Sequence, residues 1–388
     1  MTNNSLVVIP FNLPWEWSTD YTNQTAYELA KRGNTVICYM WSEKYSIREY
    51  IRLKRELRVV NKIKKNLYVY YPILYIPFRR YSAILKLNDH LNQLILKTFL
   101  CMLILKNKFK CKLLWIFDPR LQPLTGSFRR EWKVIFDCVD YFAASSDKQS
   151  EIKDLLKKEK RLVKSADLVV ANSMVLQKYL EKYGKAVELV PQGFRVDDFK
   201  KDRKRKVEII KRPGRPLIGY VGAINYRLDY KLLYDLAVNN QNWDFAIWGP
   251  VFEKKLLSRE SYKYLSKLKK LPNLIVGNSL KKDIPGIINQ FDVGVIPYDI
   301  KNKFNEYSYP MKIFEYFYLG KPIVSTDIIE LKRFPDIISI GNNSEQWQKI
   351  ISKTLLSKWP DEKRKFQKRM AEENSWSKKV NQILSYIK

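Results

Sequence analysis

Short runs of apolar, mostly β-branched residues recur along the chain, each followed by a stretch with helical spacing. Leu6 to Pro10, Thr35 to Tyr39, Leu67 to Tyr71, Leu113 to Phe117, Val134 to Cys138, Leu168 to Ala171 and Val187 to Val190 form a first series. Leu217 to Val221, Asp244 to Trp248, Asn273 to Val276, Val293 to Ile296 and Ile323 to Ser325 form a second. Continuous apolar runs alternating with helices predict parallel sheets buried on both faces. The first helix runs from about Tyr21 to Arg32, with Ala26, Leu29 and Ala30 on one face, and ends at Gly33. The two series predict an α/β chain of two doubly wound, Rossmann-like domains facing a cleft. Nothing repeats at a fixed short period, which excludes a solenoid.

Between the series, residues 200–215 hold nine Lys or Arg and a Pro-Gly pair, the pattern of a solvated linker. The expected division is therefore residues 1–199, the linker 200–215, residues 216–370, and a C-terminal segment 371–388. In that last segment Val380, Ile383, Leu384 and Ile387 fall on one helical face, so the helix is expected to cross back to the N-terminal domain.

A length of 388 residues, with 46% hydrophobic and 29% charged, fits two or three globular domains and excludes a disordered or collagen-like chain. Lys plus Arg exceed Asp plus Glu by 71 to 40, a net charge of +31 that draws anions of any kind. Cys38, Cys101, Cys111 and Cys138 form no metal-ligand spacing, and His90 is the sole histidine, so structural zinc and Ser-His-Asp chemistry are not predicted. No Asp-x-Asp pair occurs either, and no metal and no cofactor are expected. The chain opens on a strand rather than a signal peptide, and Leu91 to Leu105 is too short to span a bilayer, which points to the cytoplasm.

Ligands of open parallel sheets bind beyond the carboxyl ends of the strands. After the strand Val293 to Ile296 comes the segment Ser308 to Pro322, SYPMKIFEYFYLGKP. Ser308 reads as a helix N-cap, Pro310 suits the first turn and Gly320 ends the helix. Its N-terminus with Lys312 makes an anion site, and Glu315, three residues on, can accept hydrogen bonds from ribose hydroxyls. The alternative is that Lys312 and Glu315 form a plain surface ion pair. The second segment is IFDCVDYF, residues 135–142, where Asp137 and Asp140 close a strand; each is a candidate general base, or else a cap for the next helix. Trp15 and Trp17, after the first strand, offer a platform for a sugar ring or lipid, or ordinary loop packing.

FEYFYLGKPIVST, residues 314–326, resembles the nucleotide-sugar segment of GT-B glycosyltransferases, especially the retaining family 4 enzymes. NEYSYPMKIFEY is similar to xanthan-type glucuronosyltransferases, and more so to bacterial teichuronic-acid-type transferases. GYVGAINYRLDYKLL (219–233), DFAIWGP (244–250) and VGVIPY (293–298) resemble donor-domain strands, and ADLVVANS (166–173) with VELVPQGF (187–194) the end of an acceptor domain. The resemblance implies a metal-independent hexosyltransferase for cell-surface polysaccharide, taking a nucleoside-diphosphate sugar, by default a UDP-sugar. Its acceptor would be a saccharide or a lipid-linked saccharide. It places Met311, Lys312 and Glu315 at base, diphosphate and ribose, with Gly222 and Tyr298 beside them, and implies an acid near Asp140.

Two departures stand out. The position eight before Glu315 is Tyr307, where family 4 enzymes carry a second glutamate, and Gly222-Ala223 replaces the usual Gly-Arg. Arg227, in the same loop, is the substitute phosphate ligand.

Residues 41–112 hold 17 Lys or Arg against 4 acids, interleaved with 11 aromatics, around the amphipathic stretch Leu85 to Leu105. That composition describes a surface lying on an anionic membrane, with a peripheral location at the inner face of the cytoplasmic membrane, or a solvated basic surface. The rival readings of function are a non-catalytic phosphate- or nucleic-acid-binding protein and a sugar-nucleotide epimerase of the same fold. No nucleic-acid module is present to favour the former.

Overall fold

The computed structural model describes residues 4–12, 15, 21–41, 45–46, 60–76, 78, 81–128, 131–200, 209, 212–251 and 257–387. The chain divides into two units, Met1–Pro191 with Lys379–Lys388, and Gln192–Lys378.

Unit 1 contains β1 (Leu6–Phe11), β2 (Thr35–Met40), β3 (Tyr45–Ser46), β4 (Val60–Lys64), β5 (Leu67–Tyr70), β6 (Ile73–Leu74), β7 (Lys112–Ile116), β8 (Lys133–Cys138), β9 (Leu168–Ala171) and β10 (Glu188–Leu189). Eight of them form one sheet in the order β10-β9-β8-β7-β1-β2-β5-β4, parallel except for the antiparallel pair β4–β5. All six residues of β1 are buried, as a central parallel strand covered on both faces requires. The first helix, Tyr21–Lys31, stops just before Gly33 as predicted. Unit 1 is completed by the C-terminal chain, whose Val380, Ile383 and Leu384 join the core of β1, β2 and β7.

Unit 2 contains β11 (Leu217–Val221), β12 (Asp244–Trp248), β13 (Leu274–Gly277), β14 (Val293–Ile296), β15 (Ile323–Ser325) and β16 (Ile338–Ile340). They run parallel in the order β13-β12-β11-β14-β15-β16. Numbered within the unit this is 3-2-1-4-5-6, the order in which the winding reverses between the first and fourth strands. The reversal opens a crevice beyond Val221 and Ile296.

The chain passes from unit 1 to unit 2 at Pro191 and Gln192, whereas composition set the division at residues 199 and 200. Gln192 already belongs to unit 2, because Phe194 packs on Phe199 and Tyr318 and its backbone N–H donates to Asn374 O at 2.7 Å. At the other end the chain stays in unit 2 through Lys378. Most of the basic stretch 200–215 lies outside the described residues. Its described part is anchored in unit 2: Ile209 N–H donates to Gln290 Oε1 at 2.8 Å, and the Arg212 guanidinium grips the buried carboxylate of Asp244. The charged linker is thus tied to the sheet at its carboxyl end.

Candidate functional site

The crevice of unit 2 is built by two loops that lock together. The loop after β11 runs to the helix Tyr230–Asn239, which Asp229 caps by accepting from Leu232 N–H at 2.8 Å. Asp229 N–H donates to Pro297 O and Asp299 N–H to Arg227 O, both at 2.8 Å, so this loop is zipped to the segment leaving β14. Thr326 Oγ1 donates to Tyr298 O at 2.8 Å and secures that segment from the other side.

Close approach at the crevice floor depends on two glycines. Gly222 has φ +146° and Gly249 φ +151°, and a Cβ on Gly249 would lie 2.1 Å from Gly222 O. A Cβ on Gly222 would meet the Tyr220 hydroxyl at 2.7 Å and Lys312 Cε at 3.1 Å. Only glycine lets the ends of β11 and β12 close while Lys312 lies over them.

Two cations gather around one ring. Lys312 Nζ donates to the Tyr298 hydroxyl and sits 4.6 Å from the centre of that ring and 4.8 Å from that of Tyr220. Arg227 Cζ is 4.4 Å from the Tyr298 ring and 4.8 Å from Phe304. Arg227 Nε donates to Asn305 Oδ1 at 2.8 Å, and Asn305 Nδ2 donates back to Arg227 O and to Asp299 O at 2.9 Å each. Neither cation forms an ion pair among the described residues. Burial pushes the Tyr298 phenol up, but the Arg227 and Lys312 charges outweigh it and hold the group below its ordinary value. Positive potential is therefore concentrated beside aromatic faces and an amide.

Glu315 adds the complement. It is half-buried in the helix Lys312–Tyr318, and among the described residues its carboxylate has no hydrogen-bond or ion-pair partner. The plain Lys312–Glu315 surface pair is not formed. Burial pushes the Glu315 carboxyl above its usual range, against the pull of Lys281 and Lys312. Met311, half-buried, occupies the position just before the helix. Ser308 is not the cap expected of it: it is buried, and its hydroxyl donates to Asn305 O at 2.9 Å, closing the preceding turn. The structure thus brings together Gly222, Arg227, Tyr298, Met311, Lys312 and Glu315. It adds Tyr220 and Asn305, which sequence reasoning missed. Tyr220 was legible as a strand residue two before Gly222, whereas no local pattern marks Asn305.

In unit 1 the candidates separate. Asp137 is wholly buried, accepting from Trp115 Nε1 and from Lys379 Nζ, each at 3.3 Å. Burial raises its carboxyl above the ordinary value despite the lysine. Its place is an interior clamp on the C-terminal helix. Asp140 is half-buried in the turn after β8, where its backbone carbonyl accepts from Phe142 N–H at 3.1 Å. Trp15 is 8% exposed and packs between Phe11 and Tyr27, at 5.7 and 5.5 Å between ring centres; it is a core side chain and not an open platform. Trp17 lies outside the described residues. At the strand reversal of unit 1, between β1 and β7, Asp118 holds Asn12 and Arg120, and Arg120 reaches Ser145 Oγ at 2.6 Å. Sequence reasoning missed this cluster too, although Asp118 follows the strand ending at Phe117. Among the described residues no group of three or more His, Cys, Asp or Glu could hold a metal ion.

No family model matches the sequence. A Bacillus subtilis protein named as a teichuronic acid biosynthesis glycosyltransferase, TuaH, is 26% identical over 290 residues, covering 70% of this chain and 71% of its own. The fold matches a sucrose-phosphate synthase from Thermosynechococcus elongatus with a TM-score of 0.74 at 14% identity, covering 99% of this chain and 98% of that one. It also matches HepE of Anabaena, solved in complex with UDP and glucose, with a TM-score of 0.65 at 12% identity over 98% of each chain. The chain has the GT-B fold. The resemblance to GT-B glycosyltransferases of the teichuronic-acid type, drawn from segments between residues 166 and 326, agrees with these likenesses.

Proposed function

We propose that the chain is a glycosyltransferase that takes a sugar from a nucleoside-diphosphate donor held in unit 2. The observation that carries this reading is the pair Lys312 and Arg227 on the Tyr298 ring at the strand reversal, two cations without a described carboxylate partner. A diphosphate has the charge and size to answer both. Glu315 is then the acceptor for ribose hydroxyls, Met311 lies against the base, and Gly222 gives the backbone room for the phosphates. In this reading Lys312 and Arg227 neutralise the leaving diphosphate, the work a metal clamp performs elsewhere. UDP is the nucleotide of choice because the Anabaena structure that shares the fold holds UDP and glucose.

On the acceptor side the reading assigns acid–base work to Asp140. It stands at the carboxyl end of β8 and is partly open, whereas Asp137 is enclosed and paired. The acceptor in this reading is a saccharide or lipid-linked saccharide of the cell envelope, a choice suggested by the Bacillus relative's being named for teichuronic acid biosynthesis. A panel of nucleoside diphosphates tests the donor site by thermal stabilisation. At ligand about 100 times its dissociation constant the gain is about 2.7 kcal/mol, enough to read. Stabilisation by one nucleotide, surviving EDTA, supports the reading. No stabilisation by any, with tight salt-sensitive RNA or DNA binding, favours the phosphate- or nucleic-acid-binding alternative.

A further inference from the structure

The helix Ser82–Lys106 buries two amides beside Leu96 and Leu100 and leaves large apolar side chains exposed. Its inward face presents Asn88 and Asn92, both fully buried. Asn88 accepts from Ile76 N–H at 3.1 Å and donates to Ile76 O at 3.1 Å; Asn92 accepts from Ile73 N–H at 2.9 Å and donates to Ile73 O at 2.8 Å. The two amides thereby satisfy the backbone of the segment that holds β6, which explains why they point inward. The outward face carries Leu87, Leu94, Met102 and Leu105, exposed by 49, 62, 49 and 87%.

These positions, with Thr98 between them, recur every three, four or seven residues and so make one stripe, with Cys101 at its side. At about 1.5 Å per residue it is about 27 Å long. Exposed Lys86, Lys97, Lys106, Lys108 and Lys110 accompany it, and Asp89 is the sole acid between residues 82 and 112. Phe78 and Tyr81, just before the helix, are 60% and 48% exposed. Among the described residues no helix is long and apolar enough to cross a membrane.

We propose that this face docks on an anionic lipid bilayer, with the helix in the plane of the interface. An apolar stripe with lysines whose stems reach past it and aromatic rings at one end is the pattern of an interfacial helix. Charge decides against a second copy as the occupant. Each chain carries +31, and pairing two such stripes would bring their lysines together. The inference is independent of the sugar-transfer reading.

The test uses the full chain with vesicles of phosphatidylglycerol and phosphatidylcholine, and of phosphatidylcholine alone. Cys101 is exposed beside the stripe, so bimane attached there in a Cys111→Ser background reports its surroundings. The expected result is co-sedimentation with the anionic vesicles and a blue shift of the bimane emission. Binding falls at least tenfold in Leu94→Glu/Leu105→Glu, while circular dichroism and stabilisation by UDP stay unchanged. Loss of UDP stabilisation alone would count against the donor reading and leave this one standing. Absence of a blue shift, equal vesicle binding by the double variant, or a dimer in analytical ultracentrifugation that the double variant abolishes would each overturn the proposal. Capture of an acidic protein without vesicle binding would overturn it as well.

Discussion

The ammonium of Lys379 lies 3.3 Å from the carboxylate of Asp137, a residue 242 positions earlier, and both side chains are almost wholly buried. The pair ties the C-terminal helix to the middle of the unit 1 sheet. Removing one member of a buried pair leaves the other charge stranded, which costs about 3–5 kcal/mol. Lys379→Met should therefore lower the melting temperature sharply. The double variant Asp137→Asn/Lys379→Met keeps an acceptor for Trp115 and should recover most of the loss, as calorimetry of the two can establish.

The same carboxylate sets a pH dependence. Burial raises the Asp137 carboxyl above its unfolded value, so the folded chain holds that proton more tightly. Its contribution to stability is full below the ordinary Asp value of about 4 and is lost as pH rises through the raised one. Denaturation as a function of pH should show this fall in the wild type and a flatter profile in Asp137→Asn. An identical profile in the variant would remove Asp137 from this role.

Gly249→Ala is expected to damage the donor site without touching a ligand. The added methyl would meet Gly222 O at 2.1 Å, at a φ of +151° that L side chains rarely adopt. Strain of this kind costs about 1–3 kcal/mol, and relieving it pushes Gly222 toward Lys312. Both melting temperature and UDP affinity should fall together.

Glu315 should give donor binding its own pH profile. The ionised carboxylate accepts from two hydroxyls more strongly than the neutral acid, and burial has raised its pKa above the usual Glu range. UDP affinity should climb as pH rises through that raised value. Glu315→Gln should lose the climb and bind about tenfold or more weakly. A 2′,3′-dideoxy nucleotide should be indifferent to the substitution.

Much of this arrangement was legible in the order of residues. The strands from Leu168–Ala171 and Leu217–Val221 to Ile323–Ser325 are apolar runs of the length a buried parallel strand needs, and so announce themselves. The segment 308–322 stood out because Lys312 and Glu315 share a helical turn after a strand. β4 was missed because Val60–Lys64 is polar and half-exposed at a sheet edge, and β16 because Ile338–Ile340 is only three residues long. Trp15 misled because an aromatic in a loop looks the same whether its faces are covered or open. Asn88 and Asn92 hid the true polarity of their helix. In a sequence they read as its wet side, and only the contacts with residues 73–76 show them to be its dry one.

The central claim is that Lys312 and Arg227 form the diphosphate seat of a sugar-nucleotide site. Isothermal titration of UDP and of uridine into the wild type, Lys312→Met and Arg227→Ala tests it most directly. The account predicts that UDP binds the wild type well above uridine, and that each substitution weakens UDP by about tenfold or more while leaving the weak uridine binding in place. Equal affinity for UDP and uridine in the wild type, or undiminished UDP binding by both variants, would contradict it.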